Sequence, residues 1–326
     1  MLENYKKTIK STETEDWLDL HVVRPVCYLL ACLFAKLDIH PNTVTIASMF
    51  VGAGSTYFFI SGSWYYSGVE GLVNNLIAIA MLIFADLLDC TDGQLARMTG
   101  KKSPLGRILD GIAGFTWFVP IYHGLIYRFY LHHDIEFGWF GIENTEQNTL
   151  IATAIVYLFG LYAGFSGTGG QQRLADYYIQ VHLFFLKGEK GSELDSSLTQ
   201  QEKYDQMPWK GHLIEKCFQK SYVGYTQKQE KSTPEFQNML RKLMDKYGSI
   251  DKVPTELREE IRRKSLKIIP FNGMLTFNFR TLILIVAVLC DVPAMNFIGE
   301  AVGMGLFAMW INHKHESFCK EIAAKI

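Results

Sequence analysis

The sequence predicts an all-α polytopic membrane protein with six transmembrane helices, an N-terminal interfacial helix and a cytoplasmic helical insertion. Hydrophobic residues make up 48% of the 326 residues, and charged residues make up only 20%. These averages hide a contrast, because long uncharged runs alternate with a strongly charged block near residues 186–267. Lysine and arginine are also confined to alternate connections between the runs, which is typical of a chain that crosses a membrane several times.

The first element is an interfacial helix at residues 17–39, where apolar positions alternate with charged ones in a pattern that favours the membrane surface. Six apolar runs follow, and each is close to the ~20 residues that an α-helix needs to cross a bilayer. These runs are residues 43–62, 73–95, 107–130, 149–168, 274–291 and 294–312. Only Asp291, Val292 and Pro293 separate the last two runs, so we expect a tight helical hairpin there.

Loop charges predict the orientation of these spans. Residues 63–72, 131–148 and 289–297 contain no lysine or arginine, whereas the N-terminal segment, residues 97–107, the insertion and the C-terminal tail contain them. By the positive-inside rule, both termini, the insertion and the 97–107 loop, with the candidate active site beside it, face the cytoplasm, in an inner membrane or an endomembrane. The predicted segments are 1–42 (cytoplasmic and interfacial), 43–170 (spans one to four, with the candidate site at residues 89–110), 171–272 (cytoplasmic insertion) and 273–326 (spans five and six with the tail).

The insertion at residues 171–272 contains mixed charges with helical periodicity, which predicts a few cytoplasmic helices. It contains no P-loop, zinc-ligand spacing or nucleophile elbow. Net charge is -1 and no basic stripe is interleaved with aromatic residues, so we expect no nucleic-acid partner. The six cysteines are scattered without a C-x-x-C pair, which predicts unpaired thiols.

One stretch concentrates the chemically active residues at the end of the second run. It reads Asp89-Cys-Thr-Asp92-Gly93-Gln-Leu-Ala96-Arg97, and Gly106 and Asp110 follow it. Carboxylates collect hard divalent cations, glycine lets a phosphate approach the backbone, and arginine offers a planar fork of donors to phosphate oxygens. Because ionisable residues at membrane depth by default indicate function, the stretch predicts a site for a metal-bound pyrophosphate.

This stretch resembles the signature of the CDP-alcohol phosphatidyltransferase family, D-x-x-D-G-x-x-A-R followed after eight or nine residues by G-x-x-x-D-x-x-x-D. Seven of the eight fixed positions are present, and Gly114 stands where the family carries its fourth aspartate. A second and weaker match lies just before the first span, where Pro41, Asn42 and Thr45 are similar to the family's P-N-x-x-T. The same residues are also a common signal for the start of a helix.

The resemblance implies an enzyme of membrane phospholipid synthesis, in which an alcohol hydroxyl attacks the β-phosphorus of a CDP-linked donor and CMP leaves. Similar enzymes hold two divalent ions, Mg or Mn, and the implied ligands here are Asp89, Asp92 and Asp110. Gly93, Ala96, Arg97 and Gly106 are the residues implied to shape the nucleotide site. The implied partners are a CDP-linked lipid or CDP-alcohol donor, an alcohol acceptor and the lipid bilayer, and a homodimer is left open.

In the family, the fourth aspartate helps to hold a metal and is the expected general base, and Gly114 can do neither. Asp110 and Asp86, which lies one helical turn before Asp89, are therefore the candidate catalytic groups. A metal-bound acceptor also needs limited help from a base, since general-base catalysis typically supplies ~100- to 10,000-fold. The alternative is a nucleotide-lipid-binding homologue with impaired catalysis.

Arg173, just after the fourth span, is similar to the basic acceptor site of the inositol-phosphate and glycerol-phosphate enzymes. It therefore favours a phosphorylated polyol as acceptor, although an ordinary interfacial arginine explains it equally well. Transfer from a CDP-aminoalcohol to diacylglycerol is the alternative reaction. The non-enzyme alternative is an ion-coupled transporter with Arg280 and Glu300 on its pathway, but we prefer to interpret those two residues as an intramembrane ion pair.

Overall fold

The computed structural model describes residues 13–14, 19–188 and 191–326, and these residues form helices and turns without a β-strand. In chain order the helices are α1 (Arg24–Lys36), α2 (Pro41–Ile60), α3 (Trp64–Thr99), α4 (Pro104–Leu131), α5 (Asp134–Phe140), α6 (Glu146–Tyr162), α7 (Gln172–Lys187), α8 (Ser197–Gln206), α9 (Leu213–Ser232), α10 (Pro234–Tyr247), α11 (Thr255–Ser265), α12 (Ile269–Asn272), α13 (Phe277–Leu289), α14 (Pro293–Ile298) and α15 (Gly305–Ala323). Short π-helical segments are Asp19–Val23, Ala163–Gln171 and Gly299–Met304, and 3₁₀ turns are Ile250–Lys252 and Gly273–Leu275. The predicted all-helical fold is confirmed.

The chain divides into two compact units. The first consists of Met1–Ser166 and Arg280–Ala301, and the second consists of Gly167–Phe279 and Val302–Ile326. Helices α1 to α6, all of α14 and most of α13 belong to the first unit, whereas α7 to α12 and α15 belong to the second. The division into four segments drawn from the sequence stays a prediction.

Helix α2 is the centre of the first unit, because it packs against both α3 and α4. The contact with α4 relies on small residues. A Cβ atom added to Gly52 would lie 2.3 Å from Cδ1 of Trp117, and one added to Gly124 would lie 2.6 Å from Cγ2 of Thr56. Close backbone approach through small residues is the usual way in which helices associate in a membrane, so this packing fits a membrane bundle.

Four helices in the described part of the chain are long and apolar enough to cross a membrane, or five if one bent helix pair counts as a span. The four are Pro41–Ile60, Val69–Thr99, Glu146–Lys187 and Pro293–Ala323, and the bent pair is Thr255–Leu275 with Phe277–Leu289. The second begins at Val69 because Gly68, with φ of 57°, breaks the helix. The predicted count of six is not confirmed and stays a prediction.

Helix α4, which contains the predicted third span, is not among these candidates. Its sequence mixes aliphatic residues with Trp117, Tyr122 and Arg128, which lower its mean hydropathy and are all buried. Because α4 turns these side chains towards protein instead of lipid, it needs less apolar surface than an outer helix of a bundle.

Helix α1 covers most of the predicted interfacial segment, although residues 17 and 18 lie outside the described part of the chain. One face carries the exposed side chains of Val26, Leu29 and Leu33, and Val22 in the preceding π-helical segment is exposed as well. Ala31, on the opposite face, packs in a core cluster with Val44, Leu88 and Leu95 of α2 and α3. An exposed apolar stripe is what a membrane surface would cover, and the interfacial position itself stays a prediction.

The hairpin between the fifth and sixth apolar runs is confirmed as a tight turn, in which Asp291 has a φ of 59° and the N–H of Val292 donates to the carbonyl of Ala287 at 2.9 Å. The ion pair is also confirmed, because Nε of Arg280 lies 3.2 Å from Oε2 of Glu300 and both side chains are buried. The hydroxyl of Tyr122 also donates to Glu300. Glu300 is thus neutralised within the bundle, which argues for a structural role.

Candidate functional site

The end of α3 carries the first part of the motif. Asp86, Asp89 and Asp92 follow one another at intervals of three residues, and this spacing places them on neighbouring turns of one helix face. The helix ends at Gly100, whose φ of 72° is in the left-handed region, and α4 begins at Pro104. The hydroxyl of Ser103 caps α4 by accepting the N–H of Gly106 at 2.9 Å. This short turn brings the two halves of the motif together.

Four carboxylates around this turn lie close enough to interact electrostatically. The negative charges of Asp92, Asp110 and Asp86 all act on the carboxylate of Asp89. Among the described residues, Oδ1 of Asp89 is a buried oxygen that has no hydrogen-bond partner. Because uncompensated buried charge is costly, such a set of oxygens fits a divalent cation. The ligand atoms of these aspartates do not form a group within 4.8 Å of one another in the described chain, and their role as metal ligands stays a prediction.

Asp92 is held in place by Thr45 from the start of α2. The hydroxyl of Thr45 donates to Oδ2 of Asp92, and both side chains are buried. The same hydroxyl lies 3.2 Å from the carbonyl oxygen of Pro41. Thr45 is the last residue of the P-N-x-x-T match. Although this pattern is also a common helix-start signal, its threonine directly contacts Asp92 of the motif.

Gly106 is required by the close approach of α4 to α2. A Cβ atom at this position would lie 2.8 Å from Oδ1 of Asn42 and 3.1 Å from Oγ of Ser103. Any other residue therefore has to displace the Asn42 side chain or the first turn of α4. The role predicted for Gly106 in shaping the nucleotide site stays a prediction.

Arg97 folds back over the motif. Its NH1 atom would lie 3.4 Å from a Cβ atom at Gly93, and its positive charge acts on Asp92. Ala96 is partly buried beside it. The guanidinium, the glycine and the aspartates thus occupy one region, although the nucleotide-binding roles of Gly93, Ala96 and Arg97 stay predictions.

The two positions that bear on the missing fourth aspartate differ in their surroundings. Asp86 interacts electrostatically with Asp19 and Arg24 at the N-terminal side and with Asp89 in the motif. At Gly114, an added Cβ atom would meet no atom within 4 Å among the described residues. A side chain therefore fits at position 114, in contrast to position 106.

Arg173, the predicted acceptor residue, lies in the second unit, in the first turn of α7. Its NH1 atom donates to the carbonyl of Gly169 at 2.9 Å, and its carbonyl oxygen accepts from Gln229 at 3.3 Å. These contacts anchor the start of α7 to its surroundings. Binding of an acceptor by Arg173 stays a prediction.

Known proteins resemble the part of the chain that contains this site. The sequence profile of the family described as CDP-alcohol phosphatidyltransferase matches residues 38–160. A curated relative, archaetidylinositol phosphate synthase from Aeropyrum pernix, is 36% identical over 81 residues, which are 25% of this chain and 36% of that protein. The chain therefore matches only about a third of its relative's length, and no solved structure matches it. A CDP-alcohol phosphatidyltransferase domain is thus found at residues 38–160, as the motif predicts.

Proposed function

We propose that this protein is a membrane enzyme that transfers a phosphatidyl or phospho-alcohol group from a CDP-linked donor to an alcohol acceptor and releases CMP. The observation that carries the proposal is the meeting of Asp89, Asp92 and Asp110 within the family motif, with an unsatisfied buried oxygen on Asp89. An ordinary structural cluster would satisfy that oxygen, because a buried polar atom without a partner is costly.

Bound Mg or Mn, with Asp89, Asp92 and Asp110 as its ligands, would stabilise negative charge on the transferred phosphoryl group and on its leaving oxygen. The chain itself supplies the positioning. Thr45 fixes the Asp92 carboxylate, and Arg97 offers donors to pyrophosphate oxygens beside Gly93. The turn between α3 and α4 brings Asp110 close enough to act electrostatically on Asp89 and Asp92.

The proton of the acceptor hydroxyl needs a carboxylate other than the missing fourth aspartate. We assign this role to Asp110 or Asp86, of which Asp86 lies one helical turn from Asp89 and acts on it electrostatically. Since general-base catalysis typically contributes ~100- to 10,000-fold, a displaced base slows the reaction without abolishing it. In the alternative, a nucleotide-lipid binder without turnover, neither carboxylate would take up the proton of the acceptor.

For the acceptor, we propose a phosphorylated polyol such as inositol phosphate or glycerol phosphate. The partial relative named archaetidylinositol phosphate synthase supports this choice, as does the basic side chain of Arg173 after α6. Transfer from a CDP-aminoalcohol to diacylglycerol is the competing reaction, and it predicts a different active pair in the same assay.

The test is a CMP-release assay on the purified chain with Mg or Mn, across a panel of CDP-linked donors and alcohol acceptors. We expect CMP release with one donor–acceptor pair and a loss of more than about 100-fold in Asp89→Asn, because a metal ligand supplies several kcal/mol of charge stabilisation. Asp245→Asn, an exposed acid on α10, is the matched control and should keep its activity. Full turnover in folded Asp89→Asn would refute the site, and proton-coupled ion flux without CMP release would favour the transporter.

A further inference from the structure

Helix α15, outside the matched residues 38–160, carries a second cluster of metal-binding side chains. Nδ1 of His315, the carboxylate of Glu316 and Sγ of Cys319 lie within 4.8 Å of one another. His315 and Cys319 are fully buried, and Glu316 is only 14% exposed. We propose that these three residues bind a zinc ion, with the fourth coordination position left to water or another small ligand.

The separations of the ligand atoms fit a zinc ion. Nδ1 of His315 lies 3.2 Å from Oε1 of Glu316 and 3.8 Å from Sγ of Cys319. Tetrahedral zinc, with bonds of ~2.0 Å to nitrogen and oxygen and ~2.3 Å to sulfur, places nitrogen about 3.3 Å from oxygen and about 3.5 Å from sulfur. Both separations agree with these values to within about 0.3 Å.

Hydrogen bonding alone serves this cluster poorly. A neutral imidazole nitrogen is either a donor or an acceptor. A protonated Nδ1 can donate to the carboxylate of Glu316 but cannot accept from the thiol of Cys319, and an unprotonated Nδ1 can do only the reverse. A divalent cation attracts the nitrogen, the carboxylate oxygen and the thiolate at the same time. The combination of imidazole, thiolate and carboxylate is also typical of zinc, whereas the oxygen-only set of Asp89, Asp92 and Asp110 suits Mg or Mn.

The surrounding residues fix the orientation of the ligands. Oε2 of Glu316 accepts the backbone N–H of Glu235 at 2.6 Å, which leaves Oε1 facing His315. The His315 ring stacks on Tyr178 with 4.3 Å between ring centroids, and the edge of Phe318 lies 5.0 Å away. Ligands held by packing and by a hydrogen-bonded carboxylate are the second shell that a metal site requires.

Of the three proposed ligands, Glu316 is the one that reaches a cavity. Glu316 and the neighbouring Asn312 line a cavity of about 500 Å³ in the second unit, together with Glu235 and Lys231. Nε2 of His315 is buried and has no partner within the described chain, so the site lacks one usual second-shell hydrogen bond. We therefore expect an affinity below that of structural zinc sites with four protein ligands.

The first experiment measures zinc retention. The full-length chain is purified in detergent, stripped with a chelator, reloaded with one equivalent of Zn²⁺ and dialysed, and its metal content is then determined by mass spectrometry. We expect about one zinc per wild-type chain, as for a single three-ligand site, and at least about tenfold less in Cys319→Ser. Cys217→Ser, which removes an exposed thiol on α9, should retain zinc like the wild type. Equal retention in Cys319→Ser, or loss of zinc in Asp89→Asn alone, would overturn the assignment.

A second measurement needs no substitution, so a variant that fails to fold does not affect it. The stripped wild-type chain is loaded with Co²⁺, and we expect the thiolate-to-cobalt charge-transfer absorption that a site of carboxylates alone does not give. Its absence in the folded wild-type chain would refute thiolate ligation. Neither measurement depends on CMP release, so both test the zinc site independently of the proposed function.

Discussion

At the scale of single residues, the Asp92 carboxylate owes its position to Thr45. Thr45→Val keeps the shape of the side chain and removes the hydrogen bond that Asp92 accepts. A hydrogen bond to a charged group contributes about 1.5–3 kcal/mol, so we expect CMP release to fall by about tenfold or more. Thr43→Val is the matched control, because Thr43 lies in the same turn but is exposed. An equal loss in both variants would assign the effect to the start of α2 and not to the contact with Asp92.

Gly114 is the residue at which the chain departs from the family signature. An aspartate there has room, because a Cβ atom meets nothing within 4 Å in the described structure, and it lies one turn beyond Asp110 on the same face. We expect Gly114→Asp to raise CMP release, because it restores a carboxylate to the site. Gly114→Asn is the control of equal size without the acid and should give no increase.

The same assay tests the role of Asp86. If Asp86 serves in place of the fourth aspartate, Asp86→Asn lowers turnover in the wild type and lowers it less in Gly114→Asp, because neighbouring groups with one role are not additive. No CMP release from the wild-type chain, together with clear release from Gly114→Asp, would mean that the natural chain binds nucleotide lipid without turning it over.

Fixed spacing let the sequence predict Asp89, Asp92, Gly93, Arg97 and Asp110 as site residues, and their roles stay predictions. The contact of Thr45 with Asp92 was not predictable, since it joins residues 47 positions apart and depends on how α2 packs against α3. The P-N-x-x-T pattern contains Thr45, but the pattern alone is hard to distinguish from an ordinary helix start. The sequence analysis did not identify the cluster of His315, Glu316 and Cys319 on α15, for a different reason. Its histidine and cysteine follow the helical spacing of four residues, which a search for paired cysteines does not detect.

At the scale of helices, the residues at which a helix ends were harder to predict from the sequence than the helix itself. The apolar run that predicts a span to residue 168 enters a glycine-rich stretch, and glycine lowers helix propensity by about 1 kcal/mol per residue. The chain instead continues as a π-helical segment, Ala163–Gln171, and then as α7. Widened turns of this kind accommodate residues that a regular α-helix does not favour, and they have no simple signature in sequence.

Helix α5 supplies a prediction on pH. Glu136 is 2% exposed and accepts the backbone N–H of Ala294 at 3.3 Å. Burial raises the pKa of its carboxyl to about 7. The folded chain thus holds a proton that the unfolded chain releases near ~4.3, so this stabilisation is full at low pH and is lost as pH rises towards 7.

Between the pKa of Glu136 in the unfolded chain and its pKa in the folded chain, the free energy of unfolding falls by about 3 kcal/mol. This follows from a shift of more than two pKa units at about 1.4 kcal/mol each. Thermal unfolding in detergent between pH 5 and 8 measures it, and Glu136→Gln should flatten the decline because the amide does not titrate. Glu146→Gln, at an exposed position in the first turn of α6, is the control. An unchanged decline in Glu136→Gln would contradict the assignment.

At the scale of the whole molecule, the apolar runs predicted a helical membrane bundle but not how many helices qualify as spans. Helix α4 illustrates the reason. Its buried Trp117, Tyr122 and Arg128 contact protein, so the helix has a composition between those of a membrane span and a soluble core helix. Mean hydropathy averages over all faces of a helix, so a helix with polar and aromatic side chains packed against protein on one face can fall below the value expected of a span.

The charge pattern of the loops makes the final prediction, and two natural cysteines test it without any substitution. Cys217 and Cys290 are exposed, whereas the other four cysteines are buried or partly buried. Cys290 lies in residues 289–297, which carry no lysine or arginine, and Cys217 lies in the charged insertion. By the positive-inside rule, a membrane-impermeant maleimide added outside intact cells or sealed vesicles should label Cys290 and leave Cys217 unmodified.

Opening the membrane should then expose Cys217 to the same reagent, because the thiol is accessible on the protein and only the bilayer protects it. Mass spectrometry of the two peptides separates their labelling, and the buried thiol of Cys319 is the internal control that should stay slow in both states. Arg97 and Lys101 flank the turn of the site, so the positive-inside rule predicts that the site faces the cytoplasm, as it does for Cys217. Labelling of Cys217 from outside with protection of Cys290 would invert the topology and place the nucleotide site away from the cytoplasm.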